Sequence, residues 1–141
     1  MNAASTVFKK KSALAEGFLN MGQFHEAEAL FHMALDLAAS EGIPEKNTLP
    51  MLDGLGRCLF AQKKWDEAED AFQRILIIRR AHFGETHNNV ALVLQNLARV
   101  HSARGEHTLA IELGCKAIEI LSANLGPDNP RVAQALFSLS G

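Results

Sequence analysis

Two stretches of this chain repeat one another. GETHNNVALVLQNLA (Gly84–Ala98) and GPDNPRVAQALFSLS (Gly126–Ser140) align with Gly84 over Gly126, Val90 over Val132, Ala91 over Ala133, Leu94 over Leu136 and Leu97 over Leu139, each pair 42 positions apart. The same step back from Ala110 lands on Ala68, within WDEAEDAF (Trp65–Phe72), and a further 41 positions reach Ala27, within FHEAEALF (Phe24–Phe31). A fixed period of this length means one supersecondary unit used several times, with each unit burying its apolar stripe against the next. The spacing inside the unit is helical throughout, which predicts an array of helical hairpins.

Taken in order, Asn2–Thr6 reads as a polar, frayed start. From Val7 the apolar residues Phe8, Leu14, Ala15, Phe18 and Leu19 recur at helical spacing to about Asn20. Gly22 marks a short turn. A second helix carries Phe24, Ala27, Leu30, Phe31, Ala34, Leu35 and Ala38, and ends near Ser40 ahead of Gly42 and Pro44. Thr48 is expected to cap a third helix with Pro50 in its first turn. Its stripe is Leu52, Leu55, Gly56, Leu59 and Phe60. Gln62-Lys63-Lys64 turns without glycine into a long helix from Trp65 to near Phe83. A third hairpin runs from about Thr86 to Ala103 and from His107 to about Asn124. One unpaired helix closes the chain, capped by Asp128 or Asn129 and with Pro130 in its first turn. Ala27, Ala68 and Ala110 share one phase, where small side chains let antiparallel helices approach.

Several function classes are disfavoured by composition and spacing. With 14 Lys+Arg against 16 Asp+Glu and a net charge of −2, nothing marks a nucleic-acid or anionic-membrane surface. No apolar run approaches the roughly 20 residues of a membrane span. The basic cluster of MNAASTVFKKK has no apolar core behind it, unlike a secretory signal, so a cytoplasmic location is expected. Cys58 and Cys115 stand alone and are read as buried free thiols. No two of the six histidines have the i, i+4 spacing of a helix-borne metal site, and no phosphate loop follows a strand. No metal, cofactor or catalysis is expected, and a Cys58–His101 nucleophile pair is strongly disfavoured.

The pattern L-x-x-L-(G/A), followed by G-x-(aromatic or His)-x-x-A-x-x-x-F-x-x-A, resembles the tetratricopeptide repeat (TPR). Leu52, Leu55, Gly56, Trp65, Ala68 and Phe72 carry it, as do Leu94, Leu97, Ala98, Gly105 and Ala110. The period of 41–42 against the usual 34, with linkers FGETHNNVA and LGPDNPRVA, is similar to the subfamily of kinesin light chains. Gly114 departs from the pattern where an aromatic is expected, and Lys63 where a turn glycine is. The resemblance implies an all-α fold, a right-handed superhelix of antiparallel hairpins (an α-solenoid). It implies one domain over 1–141, with three repeats at about 8–48, 49–90 and 91–132 and a capping helix at 129–140.

It further implies a protein–protein interaction module, in which the first helix of each hairpin lines a concave groove for a peptide or partner helix. The outward positions so implied are Lys9, Ser12, Ala13, Glu16 and Asn20; then Asp53, Gly54, Arg57, Phe60 and Ala61; then Leu92, Gln95, Asn96, Arg99 and Ser102; then Gln134, Phe137 and Ser138. Arg57 and Arg99 share a phase, and Asn96 lies beside Arg99. Arginines favour carboxylates and an asparagine can bond a peptide backbone, so an acidic segment is the expected ligand. The competing reading pairs these arginines with local acids such as Asp53. A chaperone-tail clamp of the kind some relatives carry is disfavoured, because Glu16 stands where that clamp uses asparagine.

The last helix supplies the alternative. Leu136, Phe137 and Leu139 have no following hairpin to cover them, which admits a scaffold that self-assembles through this end. The simpler expectation is that the helix caps the third hairpin and buries them.

Overall fold

In a computed structural model, which describes residues 3–140 with side chains from 6 to 137, the chain forms seven α-helices. They are α1 (Ala3–Asn20), α2 (Phe24–Ser40), α3 (Leu49–Ala61), α4 (Trp65–Phe83), α5 (Asn88–Ala103), α6 (His107–Leu125) and α7 (Pro130–Ser140). No strand occurs among the described residues, and the architecture is the all-α array of hairpins that the periodicity predicts. The chain divides into two compact units, one ending at Ile75 and the other beginning at Leu76, inside α4.

Three tight turns join the helices of the hairpins, and all are built alike. Gln23 N–H donates to Phe18 O at 2.9 Å, Lys64 N–H to Leu59 O at 2.9 Å and Glu106 N–H to His101 O at 2.9 Å. Each closes a helix over a residue with positive φ: Gly22 at 77°, Lys63 at 62° and Gly105 at 83°. Glycine adopts this conformation freely, whereas a side chain there costs about 1–2 kcal/mol. The turn of the second hairpin therefore keeps the geometry at a cost. Lys63→Gly is expected to raise stability by about 1 kcal/mol and the thermal midpoint by a few degrees. An unchanged midpoint in a thermal melt would count against strain at this position.

In the first unit α2 packs on both α1 and α3. Ala27, Phe31 and Ala34 are fully buried and Ala38 nearly so, which places the alanine phase at the closest approach of the helices. Phe31 presses on the backbone of Gly54, and a Cβ added there would lie under 3.0 Å from the ring. At Gly56 an added Cβ would lie 2.7 Å from Cε1 and Cζ of Phe72. The two glycines of α3 are thus seats for two phenylalanine rings. Gly54 is buried and not an outward position, contrary to the expectation. In the second unit α6 packs on α5 and on α7 around Val90, Leu94, Leu97, Val100, Ala117, Leu121, Val132 and Ala135. Gly114 is buried there, in the phase of Phe31 and Phe72.

Several ends differ from expectation. Helix α1 begins at Ala3, not near Val7, because Ala3 and Ala4 favour helix and no Gly or Pro interrupts the start. Thr48 does not cap α3 with its side chain. A 3₁₀ turn, Glu45–Thr48, runs directly into α3, and the Thr48 hydroxyl donates back to Glu45 O at 2.6 Å. Helix α5 begins at Asn88 because His87 caps it, its Nδ1 accepting from Asn89 N–H at 3.0 Å. Asn129 fills the same role for α7, accepting from Arg131 N–H at 2.9 Å. Helix α7 docks through Val132 and Ala135 but leaves Leu136 50% and Phe137 80% exposed, so the expected burial of these two does not occur. The side chains of Ser138 and Leu139 lie outside the described residues.

Candidate functional site

In the first unit the expected positions of α1 come together in a groove. Lys9, Ser12, Ala13 and Glu16 line it with Phe8, and the opposite wall is Ile43, Lys46, Asn47, Pro50 and Met51; the volume is about 520 Å³. This size falls within the range of ligand-binding clefts. The helical phase explains the α1 wall, since positions 9, 12, 13 and 16 lie on one face. The floor is apolar, with Phe8 and Met51 each 6% exposed. Ser12 Oγ turns inward, donating to Phe8 O at 2.9 Å and lying 3.1 Å from Met51 Sδ. Lys9 and Lys46 are exposed at the rim. Asn20, at the end of α1, is exposed and does not line the groove.

Arg57 on α3 is engaged by two carboxylates. Its Nε donates to Asp53 Oδ2 at 3.1 Å, one helical turn earlier, and its Nη2 lies 3.5 Å from Glu16 Oε1 on α1. An acidic ligand at this guanidinium has to share it with both. Phe60, also on α3, is half-buried and meets Trp65 edge-on, with ring centroids 5.0 Å apart at 67°.

In the second unit α5 presents Gln95 and Asn96 half-buried and Arg99 exposed, while Leu94 and Leu97 on the opposite face are 1% exposed. At the end of the same helix His101 is buried, with Nδ1 3.0 Å from Glu106 Oε1, and Arg104 Nε donates to that same oxygen at 2.8 Å. The hydrogen bonds from His101 and Arg104 hold the Glu106 carboxyl below its usual range. This cluster pins the α5–α6 turn.

Sequence reasoning did not find the second wall of the groove. Its signal is the eight-residue interval between Ser40 and Leu49, which is longer than the turns inside the hairpins and carries Ile43 and Lys46. Nor did it find the latch between the first two hairpins. Glu28 Oε1 accepts from Gln62 Nε2 at 2.8 Å and from Lys64 Nζ at 3.1 Å. Burial by itself raises the Glu28 pKa, but these two donors outweigh it and hold the carboxyl below its usual value.

Neither cysteine forms a disulfide. Cys58 is fully buried, and burial pushes its thiol up to about 11, so it is neutral at physiological pH and a poor nucleophile. Cys115 is exposed, which corrects its assignment to the core. With a thiol-specific chromogenic reagent, one thiol is expected to react quickly in the native protein and the second only on denaturation. In Cys115→Ser the fast phase should vanish; if it survives, Cys58 is reachable. Among the described residues no three His, Cys, Asp or Glu side chains are placed to hold a metal, and no helix is long and apolar enough to cross a membrane.

A sequence model of the tetratricopeptide repeat matches residues 7–76 and 47–123. No curated protein sequence matches the chain. Among solved structures, it is similar to the nearly identical TPR-like repeats of a Podosopora anserina protein described as a kinesin light chain. There the TM-score is 0.81 at 21% identity, over 99% of this chain and 66% of that one. BtubC (BKLC) from P. vanneervenii gives a TM-score of 0.87 at 22% identity, over 99% of this chain and 56% of that one. The N-terminal domain of stress-induced protein-1 from C. elegans gives 0.71 at 12% identity, with both chains fully covered. The chain spans under two thirds of the length of the first two, and at these identities the likeness is one of fold.

Proposed function

The chain belongs to the tetratricopeptide repeat family, whose fold serves as a protein–protein interaction module, and from that premise we propose that it is a non-catalytic adaptor holding an acidic peptide or partner helix along its first-type helices. The surface so assigned carries Glu16, Asn20, Asp53, Arg57 and Phe60 in the first unit and Gln95, Asn96 and Arg99 in the second. The observation that supports this reading is the groove beside α1: an apolar floor of Phe8 and Met51 with Lys9 and Lys46 at its rim. An extended segment can bury an apolar side chain on such a floor while its carboxylates meet the ammonium groups. Folded repeat arrays host many partners, so the site chemistry and not the fold carries the choice of ligand.

The test is capture of partners from source lysate by the wild-type chain beside Arg57→Glu, Arg99→Glu and the double variant. A protein retained by the wild type and lost from the double variant supports the reading. Retention by all four would overturn it, and no retained protein from a chain that runs as a dimer would favour self-assembly instead.

A further inference from the structure

The groove beside α1 is bounded on both sides, by α1 itself and by the segment 43–51, and its charges are unevenly spread. Lys9 stands on the α1 wall and Lys46 on the wall opposite, both exposed. Glu16 lies seven residues after Lys9, about 10 Å along the helix, and faces Arg57, its Oε1 3.5 Å from Nη2. The one carboxylate of the lining is therefore directed away from the lysines. Among the described residues neither lysine is held in an ion pair.

The rest of the lining is apolar and poor in hydrogen-bonding groups. Phe8 and Met51 make the floor, each 6% exposed, with Ile43 half-buried beside them and Ala13 and Pro50 exposed on the walls. Pro50 has no N–H to offer. Ser12 carries the one hydroxyl among the lining residues, and it already donates to Phe8 O at 2.9 Å. Such a surface is best met by a plain apolar chain that ends in a single anionic head.

We propose that this groove binds the monomeric anion of a single-chain fatty acid. Its carboxylate pairs with Lys9 and Lys46, and its alkyl chain lies along the Phe8–Met51 floor. The two ammonium groups select the charge of the head, and the shortage of hydrogen-bonding groups selects the hydrocarbon tail. This site goes beyond the peptide reading: it shares the α1 groove but uses neither Arg57 nor Arg99.

The probe is decanoate, below its micelle concentration, titrated into the whole chain with isotope-labelled methionine methyl groups. Met51 lies in the floor, whereas Met21 and Met33 lie outside the groove, 65% and 49% exposed. Saturable movement of the Met51 signal below about 1 mM is expected, with Met21 and Met33 unmoved. Calorimetry with hexanoate, octanoate and decanoate should show affinity rising by up to about fourfold for each added methylene. Lys9→Gln/Lys46→Gln should weaken decanoate by about tenfold. Ala13→Glu, which sets a charge in the apolar stretch, should weaken it at least as much. All three positions are exposed, and unchanged helicity by circular dichroism verifies folding; if one variant loses helix, the other still reads the site. No saturation up to about 1 mM overturns the proposal. So does movement of Met21 or Met33 without Met51, and so does undiminished binding to both variants. Affinity independent of chain length would mean an anion resting on surface lysines, and it overturns the proposal likewise. Loss of partner capture in the arginine variants leaves these readouts untouched, and failure of decanoate to bind leaves partner capture untouched.

Discussion

Phe31→Ala is expected to lower the unfolding free energy by about 3–5 kcal/mol, the cost of removing a fully buried ring and leaving its cavity. Gly54→Ala attacks the same contact from the other side. A methyl on Gly54 cannot coexist with the ring, and overpacking of this kind costs about 1–3 kcal/mol. Because both changes act on one contact, their effects should not add. Phe31→Leu in the Gly54→Ala background frees space for the methyl and should recover part of the loss. Denaturant midpoints of Phe31→Ala, Gly54→Ala and their double variant, with Phe31→Leu alone and in the Gly54→Ala background, decide the matter. A neutral Gly54→Ala, or strict additivity, would mean that the backbone yields at α3 and that the ring is not seated on it.

The other large effect concerns binding. Each arginine–carboxylate hydrogen bond contributes about 1.5–3 kcal/mol, so losing two of them in Arg57→Glu/Arg99→Glu should weaken an acidic segment by about a hundredfold or more. The geometry adds a prediction of opposite sign. Glu16 and Asp53 already occupy Arg57, with side chains 37% and 33% exposed, so Glu16→Gln should tighten the same ligand several-fold by releasing a competitor. Both shifts should shrink at high ionic strength, where exposed charges are screened. Titration calorimetry with the captured partner reads both variants. Weaker binding to Glu16→Gln would show that the carboxylate itself contacts the ligand.

How much of this was legible beforehand differs by level. The period gave the hairpins, and the alanines Ala27, Ala68 and Ala110 in one phase of it gave the helix faces that meet, because both follow from spacing along the chain. On α1 the resemblance implied Lys9, Ser12, Ala13 and Glu16 as outward positions, and these four line one wall of the groove. The opposite wall was not legible, since Ile43, Lys46 and Asn47 sit in an interval with no period to read. Gly54 was misread because the resemblance placed it outward; the reach of the Phe31 ring from the preceding hairpin buries it. Thr48 was misread because its hydroxyl found a carbonyl three residues back in a 3₁₀ turn, a choice of local partner that composition does not announce. Cys115 was misread because α6 is apolar on more than one face, which hides the side that meets solvent.

The seat of Phe31 on Gly54 also bears on the history of the chain. Duplication makes copies that begin interchangeable, and a modular array can be lengthened or reordered by moving whole hairpins. Here the residue 42 positions after Gly54 is Asn96. Moving the third hairpin to follow the first would put an amide side chain where the ring needs bare backbone. That junction suits only its two neighbours, so the second and third hairpins are not interchangeable beside the first.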